Sequence, residues 1–250
     1  MSVNDLLQPH ILLLAPLIVY AAYVVFGISG FGSTLVAVPL LAHLFPLKFV
    51  VPFFVIVDCV GALGMGFRLR SDIMKAEIRL LIPFMAAGIL GGVYVLKHVR
   101  PELLIGLLGM FVVFFGSSYV IKRGKGFPLP VWAGAPIGAI GGATSAVFGI
   151  GGPIYVFFLA GRQGTPTQIR ATMPAIFSLT TIARIVLFAL AGLYSPASLV
   201  AAAASIPVML LGVWTGHRLH LSLSRDTVVR FMGGMLILSG LSLVVRSLNY

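Results

Sequence analysis

Two clusters of glycine, about 119 residues apart, each interrupt an otherwise apolar stretch: Gly27-Ile-Ser-Gly-Phe-Gly32 and Gly149-Ile-Gly-Gly-Pro153. Apolar runs of this kind fold as helices in lipid, where every backbone N–H and C=O must find a partner within its own segment. A glycine cluster breaks that ladder, and the freed groups are tolerated only where protein or an aqueous cavity shelters them. Two such breaks, one in each half of a chain, are the pattern left by a duplicated transporter. Its broken helices set backbone groups against a substrate near the bilayer midplane.

Composition agrees with a membrane setting. Of 250 residues, 59% are hydrophobic and 9% charged, and mean hydropathy is +1.09, which excludes a water-soluble globule. Stretches 80–96, 103–121 and 228–245 are long enough, or nearly so, to cross about 30 Å of hydrocarbon as helices. Their hydrophobicity is continuous rather than alternating, which excludes a barrel. The expected fold class is therefore an all-α polytopic membrane protein. Residues 1–10 hold Asp5 and neither Lys nor Arg, so no signal peptide with a basic n-region is expected. The single cysteine, Cys59, excludes an internal disulfide and a paired-cysteine metal or redox site. The net charge of +11 lies in short loops between apolar segments, where orientation signals belong, so nucleic acid is not an expected partner.

Charged and Pro/Gly loops divide the chain into ten segments, at 11–27, 33–45, 49–67, 80–96, 102–121, 131–148, 153–160, 173–192, 197–215 and 227–245. The second and seventh are too short to span and follow the glycine breaks directly, so each reads as half of a broken or re-entrant hairpin. An offset of 119 carries Gly30 and Gly32 onto Gly149 and Gly151. An offset of 120 carries Pro16 and Pro46 onto Pro136 and Pro166. At 124, Pro83, Gly88, Gly92, Gly109 and Gly116 fall on Pro207, Gly212, Gly216, Gly233 and Gly240, and Glu102 falls on Asp226. The expected organisation is a first repeat at 11–121, a basic cytoplasmic linker at 122–130 and a second repeat at 131–246. Within the repeats, Gly88/Gly92 and Gly212/Gly216 read as packing faces, and Gly88→Ala is expected to be mild.

Five segments per half is an odd number, so the second half should lie inverted relative to the first. With loop 68–79 inside, twelve basic residues lie in cytoplasmic loops. Only Lys48, Lys97, Arg100 and Arg246 lie outside, a strong positive-inside bias. Both termini are then extracytoplasmic.

Candidate binding residues follow from the breaks and from one buried charge. Helices restarting after Gly32 and Gly152 present free N–H groups and the positive end of the helix dipole, which bind anions without a charged side chain. Gly30, Gly32, Ser33 and Thr34 at the first break, and Gly149, Gly151, Gly152 and Tyr155 at the second, are the expected contacts. Arg184 lies mid-way along an apolar segment, with Thr180 and Thr181 on the same helical face. A guanidinium at that depth needs a partner. Substrate is one; a structural ion pair with Asp58, the carboxylate deep in the third segment, is the other. The two readings coexist if Asp58 carries a coupling proton and releases Arg184 on protonation.

Gly27-Ile-Ser29-Gly30 also matches the GxSG nucleophile motif of rhomboid-type intramembrane proteases. Such a serine needs a histidine base, and His10, His43, His98, His217 and His220 all fall at segment ends. An intramembrane serine protease built on Ser29 and an anion channel are the alternatives; a channel would show a continuous polar stripe or charged ring. No metal site or cofactor is expected.

Gly30-Phe-Gly-Ser-Thr-Leu-Val-Ala-Val-Pro39 and Ser145-Ala-Val-Phe-Gly-Ile-Gly-Gly-Pro-Ile154 resemble the paired signatures of the TauE/SafE sulfite exporter family, over roughly residues 11–245. Pro153 replaces the third glycine of the second signature, and Ser33-Thr34 stand where glycines are usual in the first. The resemblance implies a secondary transporter, in the export direction, for a small organosulfur or sulfur oxyanion such as sulfite or sulfoacetate. It implies a multi-pass protein of the cell (inner) membrane, with the anion and the bilayer as partners and homo-oligomerisation left open.

Overall fold

The computed structural model describes residues 8–29, 32–64, 72–120, 128–219 and 225–248. Gly30, most of the linker and the charged residues 68, 70, 122, 123 and 125 lie outside these, as does the side chain of Ser29. The described residues form ten α-helices and one 3-10 turn, with no strand. The helices are α1 (Pro9–Ser29), α2 (Ser33–Leu41), α3 (Leu47–Gly64), α4 (Lys75–His98), α5 (Pro101–Val120), α6 (Gly134–Phe148), α7 (Gly152–Gly161), α8 (Pro166–Leu190), α9 (Pro196–Leu219) and α10 (Arg225–Leu248). Six described helical stretches are long and apolar enough to cross a bilayer. Large apolar side chains such as Trp132, Leu190 and Leu238 point outward at 72–79% exposure, an inside-out pattern suited to lipid. This is a multi-pass membrane protein.

The segments expected to be short are short: α2 has 9 residues and α7 has 10. Each follows its glycine break directly, with Gly32 at φ +94° preceding α2 and Gly149 at φ +73° ending α6. Both angles fall in the left-handed region, where a Cβ is penalised and glycine is not. Several helices begin earlier than hydropathy indicates, because polar first turns extend them. The clearest is α8, which starts at Pro166 rather than near 173. Thr165 caps it with a full capping box: the Gln168 amide donates to Thr165 Oγ1 at 3.2 Å, and Gln168 Oε1 accepts from the Thr165 amide at 2.9 Å.

Helix packing has a reciprocal pattern. A Cβ on Gly88 of α4 would run into the carbonyl of Ala139 on α6, and one on Gly92 would meet the Ala143 carbonyl at 2.6 Å. In the other half, a Cβ on Gly212 of α9 would meet the Tyr20 carbonyl of α1 at 2.8 Å, and one on Gly216 would run into the Val24 carbonyl. The offset of 124 that relates the glycines and the offset of 119 that relates the two breaks carry one set of contacts onto the other. Between α5 and α10, Gly109 lies against Gly240 and Gly116 against Gly233, so these two helices run antiparallel. Gly88 is therefore a backbone-to-backbone contact with no room for a methyl. The expectation that alanine is tolerated there is corrected.

Polar contacts collect at two opposite ends. At one, Lys48 Nζ donates to the Lys97 carbonyl, Lys97 Nζ to the Ala191 carbonyl, and Arg246 Nη1 to the carbonyls of Ala42 and His43. At the other, Arg162 pairs with Glu77 at 3.1 Å and donates to the Leu129 carbonyl. Half-helix α2 ends at the first of these ends and α7 at the second, so both begin in the protein interior.

Candidate functional site

The start of α2 meets the turn between α6 and α7. A methyl on Gly149 would touch Thr34 Cγ2 at 3.3 Å and Arg184 Nη1 at 3.8 Å, so residues of both breaks and the buried arginine share one place. Neither half-helix has a side-chain cap on its first turn, in contrast to α8. First-turn N–H groups left uncapped in this way are the usual anion-binding feature of a helix start.

Each half sends one charged side chain toward its own break from its third helix. On α3, the half-buried Asp58 accepts from Tyr23 Oη of α1 at 2.7 Å and from Ser33 Oγ of α2 at 3.1 Å. On α8, Arg184 is 3% exposed. Its Nη1 donates to the Ser145 carbonyl at 3.0 Å, its Nη2 to Thr181 Oγ1 at 3.3 Å, and its Nε to the Thr180 carbonyl at 3.4 Å. All three acceptors are neutral. Asp58 and Arg184 form no ion pair with each other; their hydrogen bonds go to these other partners. The guanidinium thus keeps its charge without a carboxylate in contact.

The α6 turn that receives Arg184 is built by Gly149. Its left-handed conformation lets the Gly149 amide donate to the Ser145 carbonyl at 3.0 Å and the Ile150 amide to the Thr144 carbonyl at 3.3 Å, closing the helix end. Ser145 O therefore serves both the helix end and Arg184.

Other expected residues fall around the same point. Ser33 is buried and engaged with Asp58, while Thr34 is half-buried with its methyl toward Gly149. A Cβ on Gly151 would run into Ser145 Oγ and meet Tyr155 Cε2 at 2.9 Å; on Gly152 it would meet Phe177 Cζ at 3.1 Å. Thr180 Oγ1 donates back to the Ile176 and Phe177 carbonyls, so this residue offers Arg184 its backbone rather than its hydroxyl. Tyr155 is fully buried beside Ser145, and its hydroxyl has no hydrogen bond of regular length and angle among the described residues. Gly30 lies outside the described residues. Among these, no three His, Cys, Asp or Glu side chains gather as a metal site would require.

Sequence reading missed Tyr23 and Tyr194. Tyr23 sits one turn before Gly27 in an unbroken apolar run, and nothing in that run marks it as the donor to Asp58. Tyr194 lies in the α8–α9 connection, where burial raises its phenol above the ordinary value while the Arg184 guanidinium pulls the other way. Gly192, two residues before it, was the available signal of a tight reversal.

The family model for the sulfite exporter TauE/SafE matches residues 15–243. The chain belongs to this family. Its members are membrane transporters and not enzymes, which sets aside the protease reading of Ser29. The probable sulfite/organosulfonate exporter TauE of Cupriavidus necator is 29% identical over 173 residues, covering 68% of this chain and 66% of that protein, just under two thirds of its length. The probable inner membrane transporter protein TsaS of Comamonas testosteroni is 27% identical over 183 residues, 72% of this chain and 75% of its own. No solved structure matches the chain at a significant level.

Proposed function

We propose that this TauE/SafE member is a secondary transporter that exports a small organosulfur or sulfur oxyanion, such as sulfite or sulfoacetate, across the inner membrane. The observation that carries the reading is Arg184: a guanidinium 3% exposed, deep in an apolar helix, whose three hydrogen bonds all end on neutral oxygens. Leaving such a charge uncompensated in a membrane interior costs at least ~2.5 kcal/mol, which a bound anion offsets. The uncapped start of α2, beside Gly149, adds oriented N–H groups at the same place. The names carried by the relatives from Cupriavidus necator and Comamonas testosteroni support the substrate class and the inner membrane.

In this reading Gly32, Ser33, Thr34, Gly149, Gly151, Gly152, Tyr155, Thr181 and Arg184 surround the anion, and Thr180 and Ser145 hold the arginine in place. Gly30 completes the first break. Asp58 carries the coupling proton, held by Tyr23 and Ser33. Repeats 11–121 and 131–246 form an inverted-topology duplication with extracytoplasmic termini, and rocking of one half against the other opens the site to each side alternately. The reciprocal glycine contacts and the antiparallel α5 and α10 support the inversion. The deciding experiment is flux in proteoliposomes of sulfite, sulfoacetate, sulfolactate and simple carboxylates, with and without a pH gradient. Absence of flux for every sulfur anion would overturn the proposal.

A further inference from the structure

Among the described residues, three buried side-chain polar atoms have no hydrogen-bond partner: Tyr155 Oη, Tyr194 Oη and Ser239 Oγ. A buried hydroxyl without a partner lowers stability, and such groups in native proteins usually mark a ligand, a water or a functional strain. Two of these three lie beside residues that neighbour Arg184: Tyr155 shares the Gly151 contact with Ser145, whose carbonyl takes Arg184 Nη1, and Tyr194 packs on Phe188, one turn after Arg184.

They reach it from different elements. Tyr155 projects from the first turns of α7, where a Cβ on Gly141 would meet its hydroxyl at 3.1 Å and one on Gly151 would meet both its ring and Ser145 Oγ. Ser145 in turn supplies the carbonyl that takes Arg184 Nη1. Tyr194 arrives from the other side by a reversal of the chain. Gly192, at φ +67°, ends α8, and the Leu193 amide donates to the Phe188 carbonyl at 2.9 Å. The Tyr194 ring then packs edge-on against Phe188, centroids 6.4 Å apart. Phe188 lies four residues after Arg184, on the same face of α8, so Tyr194 is folded back onto the face that carries the arginine. This connection lies at the end that Lys97 Nζ closes on the Ala191 carbonyl.

The guanidinium has five N–H donors. Three are engaged with Ser145, Thr181 and Thr180, which leaves one on Nη1 and one on Nη2. Those two donors sit on the two terminal nitrogens, where two oxygens of one anion can be paired. A planar carboxylate has no third oxygen to offer the phenols. A pyramidal SO3 group has one.

We infer that Tyr155 and Tyr194 are the specificity-determining donors of the site, holding the third oxygen of an SO3 group whose other two oxygens pair with Arg184. The inference rests on the anion-site reading of Arg184. It makes the site favour sulfonates and sulfite over carboxylates of equal charge by leaving the phenols unsatisfied when a carboxylate binds.

The test uses the full-length protein in proteoliposomes, with methanesulfonate and acetate as competitors of radiolabelled sulfite flux. These two probes differ only in the head group. Tyr155→Phe and Tyr194→Phe should each raise the half-inhibitory concentration of methanesulfonate by ~10-fold, the usual effect of one hydrogen bond to a charged group. Inhibition by acetate should change less than about twofold. The melting temperature of the anion-free variants should stay level or rise, because an unsatisfied hydroxyl has been removed. Unchanged methanesulfonate inhibition in both variants, equal losses for both probes, or a lowered anion-free melting temperature would each overturn the inference. Arg184→Gln separates the layers. Should it keep wild-type response to both probes, the anion site itself is misplaced. Should it lose both while the Phe variants stay wild-type, only the role of the tyrosines falls.

Discussion

Arg184 Nη1 donates to the Ser145 carbonyl at 3.0 Å, and that same carbonyl accepts the Gly149 amide that ends α6. The arginine is thereby fixed to the turn at the second glycine break, not to Asp58. Its position depends on a backbone shape that only a left-handed residue allows, and its charge remains available.

Arg184→Lys tests whether the fork or the charge matters. Lysine keeps a cation but loses the planar donor pair that fits two oxygens. Apparent affinity for sulfite should fall by ten-fold or more, while the detergent-solubilised protein keeps its melting temperature within a few degrees. A variant with wild-type affinity would remove the guanidinium from binding.

Asp58 accepts from Tyr23 and Ser33 and, among the described residues, pairs with no cation, so a coupling role is separable from a structural one. Asp58→Asn keeps the size and an acceptor oxygen for both hydroxyls. It should abolish the response of flux to a pH gradient while anion-for-anion exchange continues. Flux that still follows the gradient would exclude Asp58 as the proton carrier.

Glycines that face backbone and glycines that face open space give a matched comparison. Gly88→Ala drives a methyl into the Ala139 carbonyl, and Gly212→Ala does the same at the Tyr20 carbonyl. Each should cost ~1–3 kcal/mol of stability, seen as a lowered melting temperature. Gly91 lies on the same helix as Gly88 with nothing within 4 Å, and Gly91→Ala should be neutral. A neutral Gly88→Ala would mean that α4 and α6 pack less closely than the structure has them.

What the chain revealed in advance was what periodicity, breaks and charge can encode. The two short helices after the glycine breaks, and an arginine midway along an apolar helix with Thr181 beside it, were readable; which helices Gly88/Gly92 and Gly212/Gly216 face, and how tightly, was not. Each readable feature is a local departure from a uniform apolar pattern. The Tyr23–Asp58 contact was not readable, because a tyrosine in an apolar run has the same local signature whether it packs or donates. Nor was the role of Ser145, which acts through its carbonyl, a group every residue has. The fate of the Arg184–Asp58 pair depended on tertiary distances, which spacing along two separate helices does not encode.

Orientation in the membrane is carried by charge and by the grouping of loops. Lys48, Lys97 and Arg246 share one end, and Glu77 and Arg162 the other. On the proposed orientation, which follows the positive-inside bias, the Arg162 end faces the cytoplasm. In a Cys59→Ala background, His98→Cys marks the first end and Gln163→Cys the second; both positions are exposed. An impermeant maleimide should label residue 98 in intact cells and residue 163 only after permeabilisation. The reverse result would invert the assignment and with it the direction in which the basic loops act. Labelling of both positions in intact cells would place the two ends on one side, which a membrane-spanning α4 does not allow, because it carries His98 at one end and Glu77, paired with Arg162, at the other.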